Sequence, residues 1–190
     1  MPAMPFLSLW LPVVVAAVVV WIVSALIWML LGYHAADFRK LPDEEKLRAL
    51  YGDGRIASGQ YVTPYWQDAK GRDDKEFMKR FDEGPVALLV VGRNGAPNMG
   101  RNMALSFLFY FVVSFIVAYI ARHTLNFGQD SHTVMRITGT IAIAIYALAG
   151  IPDSIWFYRP WSVTLKNCFD GVVYGLITGV IFMLLWPAAH

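Results

Sequence analysis

One cysteine in 190 residues, Cys168, leaves nothing for an intrachain disulfide or a multi-cysteine zinc site. Charge is scarce as well: Asp, Glu, Lys and Arg make up 16% of the chain, against roughly 25% in soluble globular proteins. Sixteen bases against fourteen acids leave a net charge of +2, no excess for gripping a phosphate backbone, so nucleic acid is not expected as a partner. The chain has no phosphate loop, dinucleotide fingerprint, nucleophile elbow, zinc-protease signature or haem-attachment motif. Together these absences exclude a disulfide-rich scaffold, a disordered chain, a collagen or a coiled coil, and they imply no cofactor and no metal. What is present is apolar: 57% of the residues, above the roughly 45–50% of a soluble domain. The bulk solvent for such a chain is lipid.

A helix needs about 20 apolar residues to cross some 30 Å of hydrocarbon, because each residue rises 1.5 Å and its backbone bonds close internally. Four stretches satisfy this, at about 6–31, 102–121, 133–150 and 169–186, and they predict an all-α membrane protein forming one domain. The first lacks a basic start and is too long for a signal peptide, so it reads as a retained helix. Pro152 is expected to stop the third, and Pro160 to open the fourth at its first helical position. Trp10, Tyr33, Tyr119, Trp156, Tyr158, Trp161 and Trp186 fall near span ends, where amphipathic rings sit at the headgroups. Trp21 and Trp28 lie inside the first span and need a packing partner.

Twelve of the sixteen bases lie between Tyr33 and Arg101. Four spans put the 151–168 connection on the same face, which adds Arg159 and Lys166, while the other face has only Arg122 and Arg136. Fourteen against two predicts a cytoplasmic 33–101 loop with both termini outside. Within that loop, 41–52 reads as a short helix opened by Pro42 and acids and closed by Gly52, and 73–82 as a second, ended by Gly84. Residues 85–91 form an apolar run that suits either a buried strand or an interfacial segment. So few apolar residues make a thin core, so a polar cap on the helix ends is expected rather than a separate soluble domain.

Three constellations stand out. Gly171, Gly175 and Gly179 line one face of the fourth span at four-residue spacing, which lets another backbone approach closely; that neighbour is either a helix of the same chain or a second subunit. Asp153, Trp156, Arg159, Trp161, Lys166 and Asp170 form a candidate polar site at the inner membrane surface, with Lys166 and Asp170 one helical turn apart. The bland alternative is a structural clamp between the third and fourth spans. His123, His132 and His190, with Asp130, match no metal-ligand spacing and are read as solvated. His34 is read as an interfacial residue, and no ionisable group is expected at mid-depth in any span.

The strings Tyr33-His34-x-x-Asp37 with Leu41-Pro42-Asp43-Glu44, Gly59-x-Tyr61-x-x-Pro64, Gly84-Pro85-Val86, Pro97-Asn98-Met99-Gly100, and Asp153-Ser154-Ile155-Trp156 with Pro160-Trp161-Ser162 resemble a family of small bacterial multi-pass membrane proteins with no assigned activity. The resemblance implies the bacterial inner membrane and a four-span layout, and nothing catalytic. The function expected from the sequence is a non-catalytic membrane subunit or scaffold that associates with another membrane protein, or with itself, through small-residue helix faces and the cap. The alternative is a membrane enzyme or binder of a lipid- or quinone-like amphiphile at the 153–170 cluster.

Overall fold

A computed structural model of the chain describes residues 5–51, 56–65 and 74–188. Its elements run α1 (Trp10–Leu30), a 3₁₀ turn (Tyr33–Asp37), α2 (Glu44–Tyr51), β1 (Gly59–Thr63), α3 (Lys75–Glu83), β2 (Ala87–Val91), α4 (Met99–Thr124), α5 (Ser131–Leu148), α6 (Ile151–Trp156) and α7 (Trp161–Leu184). Four stretches are long and apolar enough to cross a membrane: Leu7–Leu30, Met99–Thr124, Ser131–Trp156 and Trp161–Leu184. The protein is an all-α, multi-pass membrane protein whose surroundings are a lipid bilayer.

The chain divides into two compact units, one of residues 1–38, 97–155 and 159–190, the other of 39–96 and 156–158. In the first, α1 packs on α4 and α7, and α5 packs on the other sides of both, which closes a four-helix bundle. One end of the bundle is filled by Leu9, Val13, Val113, Val117, Ala121, Val134 and Phe182, all buried. The Trp186 indole donates to the Asn126 carbonyl at 2.9 Å there, and the Gly128 N–H donates to the Pro187 carbonyl at the same distance. The tightest seam is α5 on α7. A Cβ built at Gly171 would stand 2.6 Å from Ala147 Cα, at Gly175 2.6 Å from the Ile143 nitrogen, and at Gly179 2.9 Å from Gly139 Cα. The three glycines therefore face α5 of their own chain, where only hydrogen fits.

Several boundaries differ from the sequence reading for local physical reasons. The helix of the third span, α5, does end before Pro152, at Leu148, the residue whose carbonyl a proline at 152 cannot bond; Pro152 itself lies in the first turn of α6. Pro160 is the residue before α7 rather than its first, with φ −58° and ψ 134°. Its helix then begins at Trp161, eight residues earlier than the apolar run suggests, so the polar turns carrying Lys166 and Asp170 belong to a continuous 24-residue helix. α4 opens on Asn98, whose side chain accepts from the Arg101 N–H at 2.9 Å. α5 opens on Asp130, which accepts from the Thr133 N–H at 2.9 Å.

In the second unit, α2 and α3 occur where short helices are expected, although Gly52 and Asp73 lie outside the described residues. α3 opens on Asp74, which accepts from the Glu76 N–H at 2.9 Å, and Gly84 with φ 65° ends it. The apolar run at 85–91 is a strand. β2 pairs antiparallel with β1, Gly59 opposite Val91 and Thr63 opposite Ala87. β1 has no apolar alternation to announce it, being exposed through its first four residues.

Candidate functional site

The bundle end opposite Leu9 and Phe182 holds the buried polar groups of interest. Gly32, with φ 65°, takes the left-handed conformation that releases the chain from α1. The 3₁₀ turn that follows places His34 and Asp37 three residues apart on one side. His34 is 3% exposed. Its Nδ1 lies 2.8 Å from Asp37 Oδ2 and its Nε2 lies 2.8 Å from Asp170 Oδ2 of α7. The Tyr33 hydroxyl donates to the other oxygen of Asp170. Lys166, one turn before Asp170 on α7, donates to Asp37 Oδ1 at 2.6 Å and to the Tyr33 carbonyl at 2.8 Å. Trp28 of α1 stacks flat on the His34 ring, 3.9 Å between centroids and 2° between planes.

Two carboxylates, one imidazole and one ammonium thus share a closed set of hydrogen bonds, and each buried charge has a partner. That is the condition under which ionised groups persist away from water. Lys166 first, and then His34, hold the Asp37 carboxyl below the usual carboxylate range. Burial, and then the Asp170 carboxylate beside it, push the Tyr33 phenol well above its usual value, so Tyr33 acts as a neutral donor. Asp170 lies nine residues beyond the start of α7, about 14 Å along the helix. An acid therefore does sit well inside a span, contrary to the reading of the apolar run alone. The two carboxylates face opposite nitrogens of one ring, so this set does not converge on a metal ion. It forms instead a hydrogen-bonded line Lys166, Asp37, His34, Asp170, with Lys166 its most exposed member at 29%.

At its inner end Asp170 opens onto a cleft of about 220 Å³ lined by Trp28, Tyr110, Tyr146, Asn167, Asp170 and Tyr174, with exposed Phe109 and Ala149 at the rim. Tyr174 of α7 meets Tyr110 of α4 and Tyr146 of α5 edge to face, and Tyr110 and Tyr146 are tilted to one another, with all centroids 5.9–6.0 Å apart. Asn167 Oδ1 is buried without a hydrogen-bond partner, whereas the Tyr146 hydroxyl faces the Thr178 and Ser114 hydroxyls and the Tyr174 hydroxyl faces the Trp28 indole. Such an oxygen in a low dielectric costs roughly 1–3 kcal/mol when left unpaired.

The structure separates the six residues that the sequence groups. Lys166 and Asp170 enter the network, but each bonds to the 3₁₀ turn and not to the other. Asp153 and Arg159 pair at 3.2 Å, about 40% exposed, and the Arg159 N–H donates to the Asp153 carbonyl, which closes the α6–α7 corner. Ser154 and Thr164 hydroxyls meet at 2.6 Å beneath it. Trp161 is exposed at the start of α7, and Trp156 is exposed and groups with the second unit. Cys168 is half-buried and donates to the Ala147 carbonyl at 3.0 Å. His123 makes an edge contact with Tyr119, and His132 lies on α5; His190 is outside the described residues. Trp21 finds its partner in the Met103 carbonyl at 3.1 Å.

The sequence places Tyr33 and His34 at the membrane interface and gives Asp37 no role; His34 is instead buried between Asp37 and Asp170, and all three residues belong to the site. The signal available was a histidine and an aspartate three apart directly after a span, on the charged side. No family model, curated protein or solved structure matches the chain, so the site is read from its own geometry.

Proposed function

We propose that the protein binds a neutral, lipid- or quinone-like amphiphile in the cleft between α4, α5 and α7, with its head against Asp170 and its tail in the bilayer. The observation that carries this reading is an unpaired polar atom in the lining: the Asn167 amide oxygen, buried beside aromatic rings and left for a ligand to satisfy. At about 220 Å³ the cleft is smaller than the roughly 300–1,000 Å³ that encloses a whole drug-sized ligand, so it suits a headgroup whose chain remains in lipid. The test is purification in mild detergent, organic extraction and mass spectrometry. We expect one amphiphile at about one per chain in the native protein and its depletion in Ala149→Trp, which fills the rim. Equal content in the two proteins counts against the cleft.

The subunit or scaffold role is the second reading. Its glycine face is occupied by α5, so its support comes instead from the second unit. Among the described residues, that unit's ribbon has two strands with unpaired outer edges, and it exposes Val62, Leu89 and Val90. For location we propose the bacterial inner membrane, with the 33–101 loop cytoplasmic and both termini outside. This rests on fourteen bases against two and on the family resemblance.

A further inference from the structure

The donor and acceptor inventory of the cleft narrows the ligand beyond the proposed binding of an amphiphile, on which this inference rests. We infer that the head it takes is an uncharged ring bearing hydroxyl donors, a hydroquinone in preference to the corresponding quinone and in preference to an anionic lipid. None of the described residues lining the cleft is basic. The nearest ammonium, Lys166, is committed to Asp37 and the Tyr33 carbonyl, so a phosphate head would meet the Asp170 carboxylate with nothing to neutralise it. Repulsion of that kind is how sites reject the wrong charge.

Acceptors dominate the polar end. A carboxylate offers about four lone-pair positions, and Asp170 uses two of them, on the Tyr33 hydroxyl and on His34. Asn167 Oδ1 is a further acceptor with none used. A hydroxyl can donate to either, whereas a quinone carbonyl facing these oxygens brings only another lone pair and could be met here only by the Asn167 Nδ2 group. A site built to hydrogen-bond a hydroxyl rejects the analogue lacking it strongly, because its own polar atoms are left unpaired. Flatness follows from the walls: three tyrosines meeting edge to face or tilted, with Phe109 6.0 Å from Tyr146, present ring surfaces to a ring.

The test uses the full chain in detergent micelles and reads melting temperature against three probes: a short-chain benzohydroquinone held reduced, the same compound oxidised, and phosphatidylglycerol. Each is run on the native protein and on Asn167→Leu. We expect saturable stabilisation by the hydroquinone, at least tenfold weaker apparent affinity for the quinone, no saturable effect of phosphatidylglycerol, and loss of the hydroquinone effect in Asn167→Leu. If the quinone or the anionic lipid stabilises as well as the hydroquinone and loses its effect in Asn167→Leu, the cleft binds amphiphiles but the donor-bearing class is wrong. If no probe stabilises the native protein, or Asn167→Leu responds as the native protein does, the cleft itself is not a binding site and both readings fall.

Discussion

His34 is the residue on which the buried network turns, because it alone bonds both carboxylates. Removing one member of a buried ionic set leaves the other uncompensated and costs about 3–5 kcal/mol. His34→Leu should therefore lower the melting temperature in detergent steeply. The double variant His34→Leu/Asp170→Asn should recover much of the loss, since the stranded charge goes with its partner. Equal melting of His34→Leu and the native protein would mean that the network carries no stability. Acid should act in the same direction. Asp37 has its carboxyl depressed by Lys166 and His34, so its contribution is complete above the ordinary carboxylate value near pH ~4 and fades as pH falls through and below it. Asp130, pushed down to about 2 by the Thr133 hydroxyl first and then the Thr133 N–H, adds a share lost between about pH 4 and 2. Melting curves from pH 6 to 3 should show the decline, and a smaller one in Asp37→Asn. Asp170 and Lys166 were legible in the sequence as charges beside an apolar run. His34 and Asp37 were not, since the residues that give them meaning lie 129 to 136 positions away.

Among the elements, α5 and α7 are held by absence of side chain. A methyl at Gly171 would stand 2.6 Å from Ala147 backbone atoms, which cannot yield as a flexible side chain can. Gly171→Ala and Gly175→Ile should each cost about 1–3 kcal/mol through overpacking, read as a lower melting temperature, while size exclusion shows an unchanged oligomeric state. A variant that melts normally but changes its assembly would place the glycine face at a subunit contact instead. The spans themselves were legible because lipid demands long uncharged runs. Their ends were less so: hydropathy places the start of the fourth span where polar residues stop, whereas the helix continues to Pro160 because Lys166 and Asp170 find partners inside the bundle. β1 stayed hidden because an exposed polar strand has no periodic signature; it is defined by its pairing with β2.

At the level of the whole molecule, the proposed orientation rests on the charge distribution. With Cys168→Ala as background, Gln60→Cys should react with an impermeant thiol reagent only after the membrane is opened, and labelling of intact cells would reverse the orientation. The same end of the bundle carries the network and the cleft, because the 3₁₀ turn, the α6–α7 corner and the polar first turns of α7 all gather there. That convergence is what distinguishes a binding reading from a purely structural one, since a clamp needs the ion pairs but not the unpaired Asn167 oxygen beside them. The most direct measurement is an experimental structure of the protein taken from its own membrane without added ligand. The account predicts non-protein density in the cleft between α4 and α5, with a polar end within hydrogen-bond distance of Asp170 and Asn167. A cleft closed by rearranged side chains, or one holding only an acyl chain with no polar atom near Asp170, would contradict it.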